Sequence, residues 1–273
     1  MGGIFRQGNL SSMIHHRKTM AEYAILMEKE GKVHVLEIVD KSAKYKGIGV
    51  CNLQEILSGV DIGEEVLIGQ KYFTRMPSNL PELVSGMARR AQTISSKDAG
   101  IFIAKLGIGT GSTVLEAGLG SGGLSLHLAK VLGNSGHLVT VEPRSEHAEV
   151  GLENLQRASN CFPEFPKHSH LEGKVEEVNL EHDFDAIILD MPNHMPAIIA
   201  CSPKLKFGGR IACYAPTTSQ LEVCWQACEE SGLVVEWAGE IIERQWGRAS
   251  KGGLRPVNGP FGHTAFLLIA QKK

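Results

Sequence analysis

Three carboxylates stand where apolar runs stop or are interrupted. Glu116 lies inside Val114-Leu115-Glu116-Ala117, Glu142 follows Leu138-Val139-Thr140-Val141, and Asp190 closes Phe184-Asp185-Ala186-Ile187-Ile188-Leu189. The first run leads straight into Gly118-Leu119-Gly120-Ser121-Gly122-Gly123 and then into the helical pattern Leu124 to Leu132. A Cβ in such a turn would block both the tight bend and the approach of a ligand to the amides at the helix start. Glu142 comes about 20 residues after the glycines, where strand-turn-helix-strand units place an acid that grips ribose hydroxyls. Gly118, Gly120 and Gly123 satisfy a dinucleotide fingerprint, while Glu116 and the Gly-x-Gly-Ser-Gly core suit S-adenosylmethionine equally well.

These residues need a sheet to hold them. From Val114 onward strands and helices alternate: Val114 to Ala117, Leu124 to Leu132, Leu138 to Val141, Glu146 to Ala158, His170 to Leu171, Ala186 to Asp190, Ile211 to Tyr214, Ser219 to Glu230, Val234 to Trp237 and Thr264 to Ala270. Alternation of this kind predicts a parallel sheet with helices on both faces. Asp190 then ends a buried strand at the edge where such sheets bind ligands. Upstream, the runs Tyr23 to Met27 and Val33 to Ile38 flank Glu30-Gly31-Lys32 as a hairpin, and short segments at Ile48 to Cys51 and Glu65 to Ile68 extend a small all-β unit of barrel or sandwich type. Helical spacing covers Pro81 to Ala91 and Asp98 to Leu106. The expected division is therefore a β domain over residues 1–75, a linker helix region over 76–97 and a ligand-binding domain over 98–273. Residues 1–12, rich in Gly and Ser, read as a mobile lead-in.

Composition sets limits. The 273 residues are 42% hydrophobic and 21% charged, enough for one large core and one small one. A net charge of -2 gives no global attraction to polyanions, so any nucleic acid must meet a local basic patch or a groove shared between subunits. The six cysteines form no CxxC pair and read as reduced thiols of a cytoplasmic protein, with Cys224 and Cys228 on one buried helix face. Neither a signal peptide nor a bilayer-length apolar run is visible, and Arg6 stands where a myristoylation start needs Ser or Thr. The eleven histidines include His15-His16 and His168-x-His170, without acids or thiols at ligand spacing, so no metal is expected.

Downstream, Pro203-Lys204-Leu205-Lys206-Phe207-Gly208-Gly209 precedes the fifth strand, a turn habitual in S-adenosylmethionine-dependent methyltransferases, and it moves the cofactor expectation to S-adenosylmethionine. The resemblance then narrows. Gln92-Thr93-Ile94-Ser95-Ser96-Lys97-Asp98, the Glu116 to Gly122 loop, Leu189-Asp190-Met191-Pro192, Pro216-Thr217-x-x-Gln220, Arg255-Pro256 and Gly262-His263-Thr264-Ala265-Phe266-Leu267 together resemble the tRNA (adenine-N1)-methyltransferase family that acts on adenosine 58 of the T-loop. That resemblance implies a Rossmann-like class I methyltransferase sheet, mostly parallel with an antiparallel last strand, beside a small N-terminal all-β domain. It also implies a homotetramer that binds tRNA across subunits, with no membrane partner.

By the same resemblance Gly118, Gly120 and Gly122, with Ser121, Gly123 and Leu124 at the helix start, hold the cofactor. Glu116 and Glu142 flank it, and Gln92 and Asp98 close the pocket. Asp190 is the catalytic residue and a cofactor neighbour. His194 or Tyr214 is placed to stack on an extruded base. Arg244, Arg248 and Arg255, near Trp246, are candidates to clamp phosphates, and His263 to touch the substrate. Three positions depart from the pattern: Ser95-Ser96 replaces an aromatic, Asn193-His194-Met195 replaces a Pro-Trp pair, and Lys174 stands where many methyltransferases place an acid against adenine. They keep two alternatives open: a methyltransferase for a small molecule or protein carboxylate, and a catalytically silent tRNA-binding subunit. A nicotinamide dehydrogenase is more remote.

Overall fold

A computed structural model describes residues 22–250, 252–257 and 263–273. The lead-in, His15-His16 and Gly262 of the tail motif lie outside the described residues. Strands β1 (Glu22–Glu28) and β2 (Val33–Ile38) form the expected hairpin, Ile25 opposite Val35. A short ribbon of β3 (Ala43–Tyr45) and β4 (Gly49–Cys51) and the one-turn helix α1 (Leu53–Ile56) follow, then a second hairpin of β5 (Glu65–Ile68) and β6 (Lys71–Met76). Because β6 pairs with the free edge of β1, the four longer strands make one antiparallel sheet in the order β2-β1-β6-β5. The period of two sorts its side chains. Ala24, Leu26, Leu36, Val66, Ile68 and Phe73 close a small core under α1, while Ile25 on the other face joins the core of the larger unit.

Helix α2 (Leu80–Gly86) opens with Pro81 in its first turn and ends five residues before the Ala91 that side-chain spacing suggests. Tertiary bonds take the backbone instead. The Ala88 amide donates to Asn154 Oδ1, and the amides of Arg90 and Ala91 both donate to Ser121 Oγ. Periodicity registers apolar spacing, not competition for the amides.

The rest is one seven-stranded sheet with helices on both faces. In chain order come α3 (Ser96–Leu106), β7 (Thr113–Ala117), α4 (Gly123–Leu132), β8 (His137–Glu142), α5 (Ser145–Cys161), β9 (Lys167–Glu172), β10 (Phe184–Leu189), α6 (His194–Cys201), β11 (Leu205–Ala215), α7 (Thr218–Glu230) and β12 (Leu233–Gly239). A small hairpin, β13 (Trp246–Arg248) and β14 (Leu254–Pro256), then precedes β15 (Phe266–Lys272). The strand order is β12-β15-β11-β10-β7-β8-β9. Neighbours pair in parallel from β11 to β9, and β15 runs antiparallel to both β11 and β12. This is the mostly parallel sheet with an antiparallel last strand that the sequence led us to expect.

Residues of alternate parity point to opposite faces. Val114, Ala186, Ile188, Ala212 and Tyr214 face α2 to α5, whereas Leu115, Ile187, Leu189, Ile211 and Cys213 face α6 and α7. Burial on both faces explains why β7, β10 and β11 read as nearly unbroken apolar runs. From β7 the chain steps to β8 on one side and later returns to β10 on the other, so the strand order reverses there. A crevice forms outside the strand ends at such a switch point. Among the described residues no helix is long and apolar enough to cross a membrane.

Candidate active site

A cleft of about 340 Å³ opens at the C-terminal ends of β7, β8 and β10, lined by Gly118, Glu142, Arg144, Lys174, Asp190 and Asn193 among others. It begins where β7 enters the glycine turn, at Ala117 and Gly118. Gly122 has φ 78° as the cap of α4, a conformation that side-chain-bearing residues rarely adopt. Helix α5 presses on this turn from outside: a Cβ on Gly151 would lie 2.7 Å from Leu119 Cγ and 2.8 Å from the Gly120 carbonyl. One turn later Asn154, itself buried, donates through Nδ2 to the Ala88 carbonyl at 2.8 Å and the Ser121 carbonyl at 2.9 Å. The turn is therefore held between α5 and the linker.

Glu142 is fully buried at the end of β8. Its Oε2 accepts from the Gly120 amide at 2.9 Å and from Arg144 Nη2 at 3.2 Å; its Oε1 accepts from Arg144 Nε at 2.7 Å and from the Arg144 amide at 3.2 Å. Burial alone would raise its pKa, but the guanidinium and the two amides outweigh that and hold the carboxylate below its ordinary value. A diol arriving here would displace the half-exposed guanidinium and keep the amides.

Asp190 is pinned by its own backbone. Its amide donates to the Ala117 carbonyl at 2.6 Å, and its carbonyl accepts from the Gly118 amide at 3.2 Å, extending the β7 and β10 pairing one step into the cleft. Burial pushes its carboxyl up to about 6; His194 and Arg144 pull it down while Glu142 pushes it up. Beneath the turn, burial drives Glu116 up to about 8, opposed by Ser125 Oγ, which donates to it at 2.5 Å. The site thus combines a carboxylate held below its ordinary pKa and suited to a diol, a buried acid, and a second carboxylate with a pKa of about 6. Val141, Pro143 and Val175 give the cleft an apolar wall that fits a flat ring.

Of the residues singled out from sequence, Gly118, Glu142, Lys174 and Asp190 share this cleft. Gly120, Ser121, Gly122, Gly123 and Leu124 continue the turn from Gly118 into the start of α4, outside the cleft lining, with Ser121 and Leu124 buried. Lys174 is exposed and paired with Glu177 Oε1 at 2.8 Å. Gln92 is exposed outside the cleft lining. Tyr214, next to the end of β11, is 7% exposed, and its register neighbour across the sheet is Asp190, one step beyond the Leu189 and Cys213 pair. His194 is 2% exposed and turned into the core, where its buried Nε2 has no hydrogen-bond partner, so its ring is not offered to a substrate for stacking.

Arg244 and Arg255 lie exposed around the β13 and β14 hairpin. His263 Nδ1 is 2.5 Å from Glu240 Oε2 in the tail. Cys213, Cys224 and Cys228 are all buried between β11 and α7, the helix-face arrangement expected for the last two. Among the described residues no group of three or more His, Cys, Asp or Glu side chains is arranged to hold a metal ion. Sequence reasoning missed Arg144 and Asn154. The available signal for Asn154 was a polar residue on the apolar stripe of α5, beside Gly151, Leu155 and Ala158.

Comparison with known proteins finds methyltransferases. The family described as tRNA methyltransferase complex GCD14 subunit matches residues 73–251. The tRNA (adenine(57)-N(1)/adenine(58)-N(1))-methyltransferase TrmI of Methanocaldococcus jannaschii is 29% identical across 92% of this chain and 95% of its own. The tRNA (adenine(58)-N(1))-methyltransferase TrmI of Thermus thermophilus is 30% identical across 75% of this chain and 78% of its own. Among solved structures, a SAM-dependent O-methyltransferase from Thermotoga maritima superposes with a TM-score of 0.76 at 25% identity, covering 93% of each chain. The tRNA (m1A58) methyltransferase TrmI of Aquifex aeolicus gives 0.70 at 22% identity, covering 93% of this chain and 97% of that one.

Proposed function

The chain belongs to the family of the tRNA methyltransferase complex GCD14 subunit, and from that membership we propose that it methylates N1 of adenosine 58 in the T-loop of tRNA, using S-adenosylmethionine. Bound in the cleft, the cofactor supplies an electrophilic methyl group on a sulfonium. The residues present fit it. Glu142 offers a buried, ionised carboxylate to the ribose hydroxyls. The backbone from Gly118 to Gly122, with Glu116 beneath, receives the methionine end, and the wall at Val141 and Val175 receives the adenine. Lys174 stands at the rim, where backbone groups rather than a carboxylate read that adenine.

The single observation that carries the reading is Asp190, fixed at the end of a central strand in the same cleft as Glu142. N1 of adenine has a lone pair and needs no base to attack a methyl group. What changes along the reaction is charge: methylation leaves a cationic ring, and a carboxylate accepting a hydrogen bond from the exocyclic amino group stabilises that cation more than the neutral base. Because two backbone bonds hold the Asp190 main chain, little reorganisation is required as the charge develops. The adenosine is extruded to reach it.

Arg244, Arg248 and Arg255 hold the tRNA backbone from the hairpin, and His263 meets it from the tail. Trp246, Leu254 and Val257, exposed on that hairpin, support assembly into a homotetramer whose subunits share the tRNA. The reduced-thiol pattern supports a cytoplasmic setting. His194 takes a supporting rather than a stacking role.

The test is transfer of labelled methyl from S-adenosylmethionine to unmodified tRNA transcripts, with adenosines 57 and 58 substituted singly. Label is expected to require adenosine 58 and to disappear with Asp190→Ala while cofactor affinity persists. Label retained by Asp190→Ala, or independent of adenosine 58, would overturn the reading.

A further inference from the structure

Glu142 has no acceptor site to spare. An ionised carboxylate offers about four lone-pair positions. Four donors fill them: the Gly120 amide at 2.9 Å and Arg144 Nη2 at 3.2 Å on Oε2, Arg144 Nε at 2.7 Å and the Arg144 amide at 3.2 Å on Oε1. The two amides are fixed, one in the glycine turn and the other at the cap of α5. The guanidinium is not. Glu142 is fully buried, whereas the Arg144 side chain, lining the same cleft, is 54% exposed. It meets the two oxygens with two donors, the same number that the hydroxyls of a ribose diol bring. A diol therefore binds only when the guanidinium leaves.

Charge directs where the displaced cation goes. S-adenosylmethionine carries a net positive charge at neutral pH, so its arrival sets a second cation in the cleft and drives the guanidinium outward. Asp190, lining the same cleft, is engaged by the acceptor base in the reading above. Glu146, two residues along the chain, is exposed, where an ion pair gains little. An adenosine extruded toward Asp190 brings its flanking phosphates to the cleft, and a guanidinium holds a phosphate with two parallel hydrogen bonds. The chain has a net charge of -2 and no general attraction for tRNA, so a single cation released at the site weighs more.

We propose that Arg144 occupies the place of the ribose diol on Glu142 in the empty site and, displaced by the cofactor, binds a backbone phosphate beside the target adenosine, so that the cofactor creates a contact for tRNA. The proposal rests on the methyltransferase reading above and adds an order to it, cofactor first. By linkage, tRNA tightens cofactor binding by the same factor.

The test uses S-adenosylhomocysteine, which keeps the diol and has no methyl group to transfer, with wild type, Arg144→Ala and Arg144→Lys. The readouts are calorimetric affinity for S-adenosylhomocysteine, and tRNA affinity over a range of salt concentrations with the site empty and loaded. Arg144→Ala, freed of the internal competitor, is expected to bind S-adenosylhomocysteine about three- to tenfold more tightly in the absence of tRNA. In wild type, loading is expected to tighten tRNA binding about tenfold and to steepen its salt dependence by about one phosphate contact; in Arg144→Ala neither changes. Arg144→Lys keeps the charge without the fork and is expected to retain the salt effect of loading. If Arg144→Ala binds S-adenosylhomocysteine no more tightly than wild type, the guanidinium does not compete with the diol and the proposal is overturned. A salt dependence that loading leaves unchanged in wild type would overturn it too, the displaced guanidinium then pairing with Glu146 or Glu176. Wild type that shows the exchange but leaves tRNA unmethylated would overturn the methyltransferase reading alone, and wild type that does not bind S-adenosylhomocysteine would overturn both.

Discussion

Asp190 offers a negative charge to the developing cation only while ionised, and its pKa of about 6 puts that condition within reach of ordinary assays. The sign follows directly: as pH falls through about 6 the carboxyl takes a proton and loses the charge that stabilises the methylated ring. The rate kcat/KM for tRNA should therefore drop about tenfold per pH unit below that point and be flat above about 7. Asp190→Asn, unable to ionise, should lose about 100-fold or more in kcat and show no such acid limb. Arg144 pulls the same carboxyl down, so Arg144→Ala should move the limb to higher pH; an unmoved limb would mean that the guanidinium does not reach Asp190. Asp190 and Glu142 were legible because a carboxylate ending an apolar strand needs a reason to be there. Arg144 was not, because an arginine after a strand reads equally well as a solvated charge.

At the scale of elements, the glycine turn depends on α5, and on Asn154 above all. Asn154→Ala would leave the Ala88 amide and carbonyl and the Ser121 carbonyl without this partner in a buried seam, a cost of about 2 to 3 kcal/mol. Gly151→Ala forces a methyl group against Leu119 and the Gly120 carbonyl at a similar cost. Both should lower the thermal midpoint and weaken cofactor binding together. A variant that lost stability with cofactor affinity unchanged would show that the turn keeps its shape without α5. The parallel sheet and its order of elements could be read from sequence because strands buried on both faces leave long apolar runs. Three features could not. Helix α6, His-Met-Pro-Ala-Ile-Ile-Ala-Cys, is apolar nearly all round and carries a proline, so it has no periodic stripe to detect. Strands β13 and β14 are three residues each, too short to show alternation. The end of α2 is set by side chains from α5 and the glycine turn, remote in sequence.

For the whole molecule, buried ionisable groups give stability opposing slopes with pH. Glu116 is held up at about 8 against 4.5 for a free carboxyl, so across that range the folded state keeps a proton that the unfolded state has lost, and stability falls as pH rises. Asp190 has the same sign up to about 6. His168, wedged beside His170 with its Nε2 on Thr140 Oγ1, is driven down to about 4 by burial; between 4 and 6.5 the unfolded state binds the extra proton, and stability rises with pH. His137 and His170 are lowered too and act alike. The two sets offset each other up to about pH 6.5. Above it Glu116 goes on lowering stability as pH rises up to its own pKa, while Cys224, its thiol lowered to about 6 from an ordinary 9.0, acts in the opposite sense over the same range. The part due to Glu116 is about 2 kcal/mol between pH 6.5 and 8, read as a midpoint difference between Glu116→Gln and wild type that widens by roughly 4 to 8 °C over that range. Glu116→Gln copies the protonated acid, including its contact with Ser125, but cannot ionise. It should match the wild type near pH 5 and exceed it in midpoint at pH 8. If the difference between the two stays constant with pH, the buried proton sits elsewhere, and Glu116 meets an incoming cationic cofactor already charged.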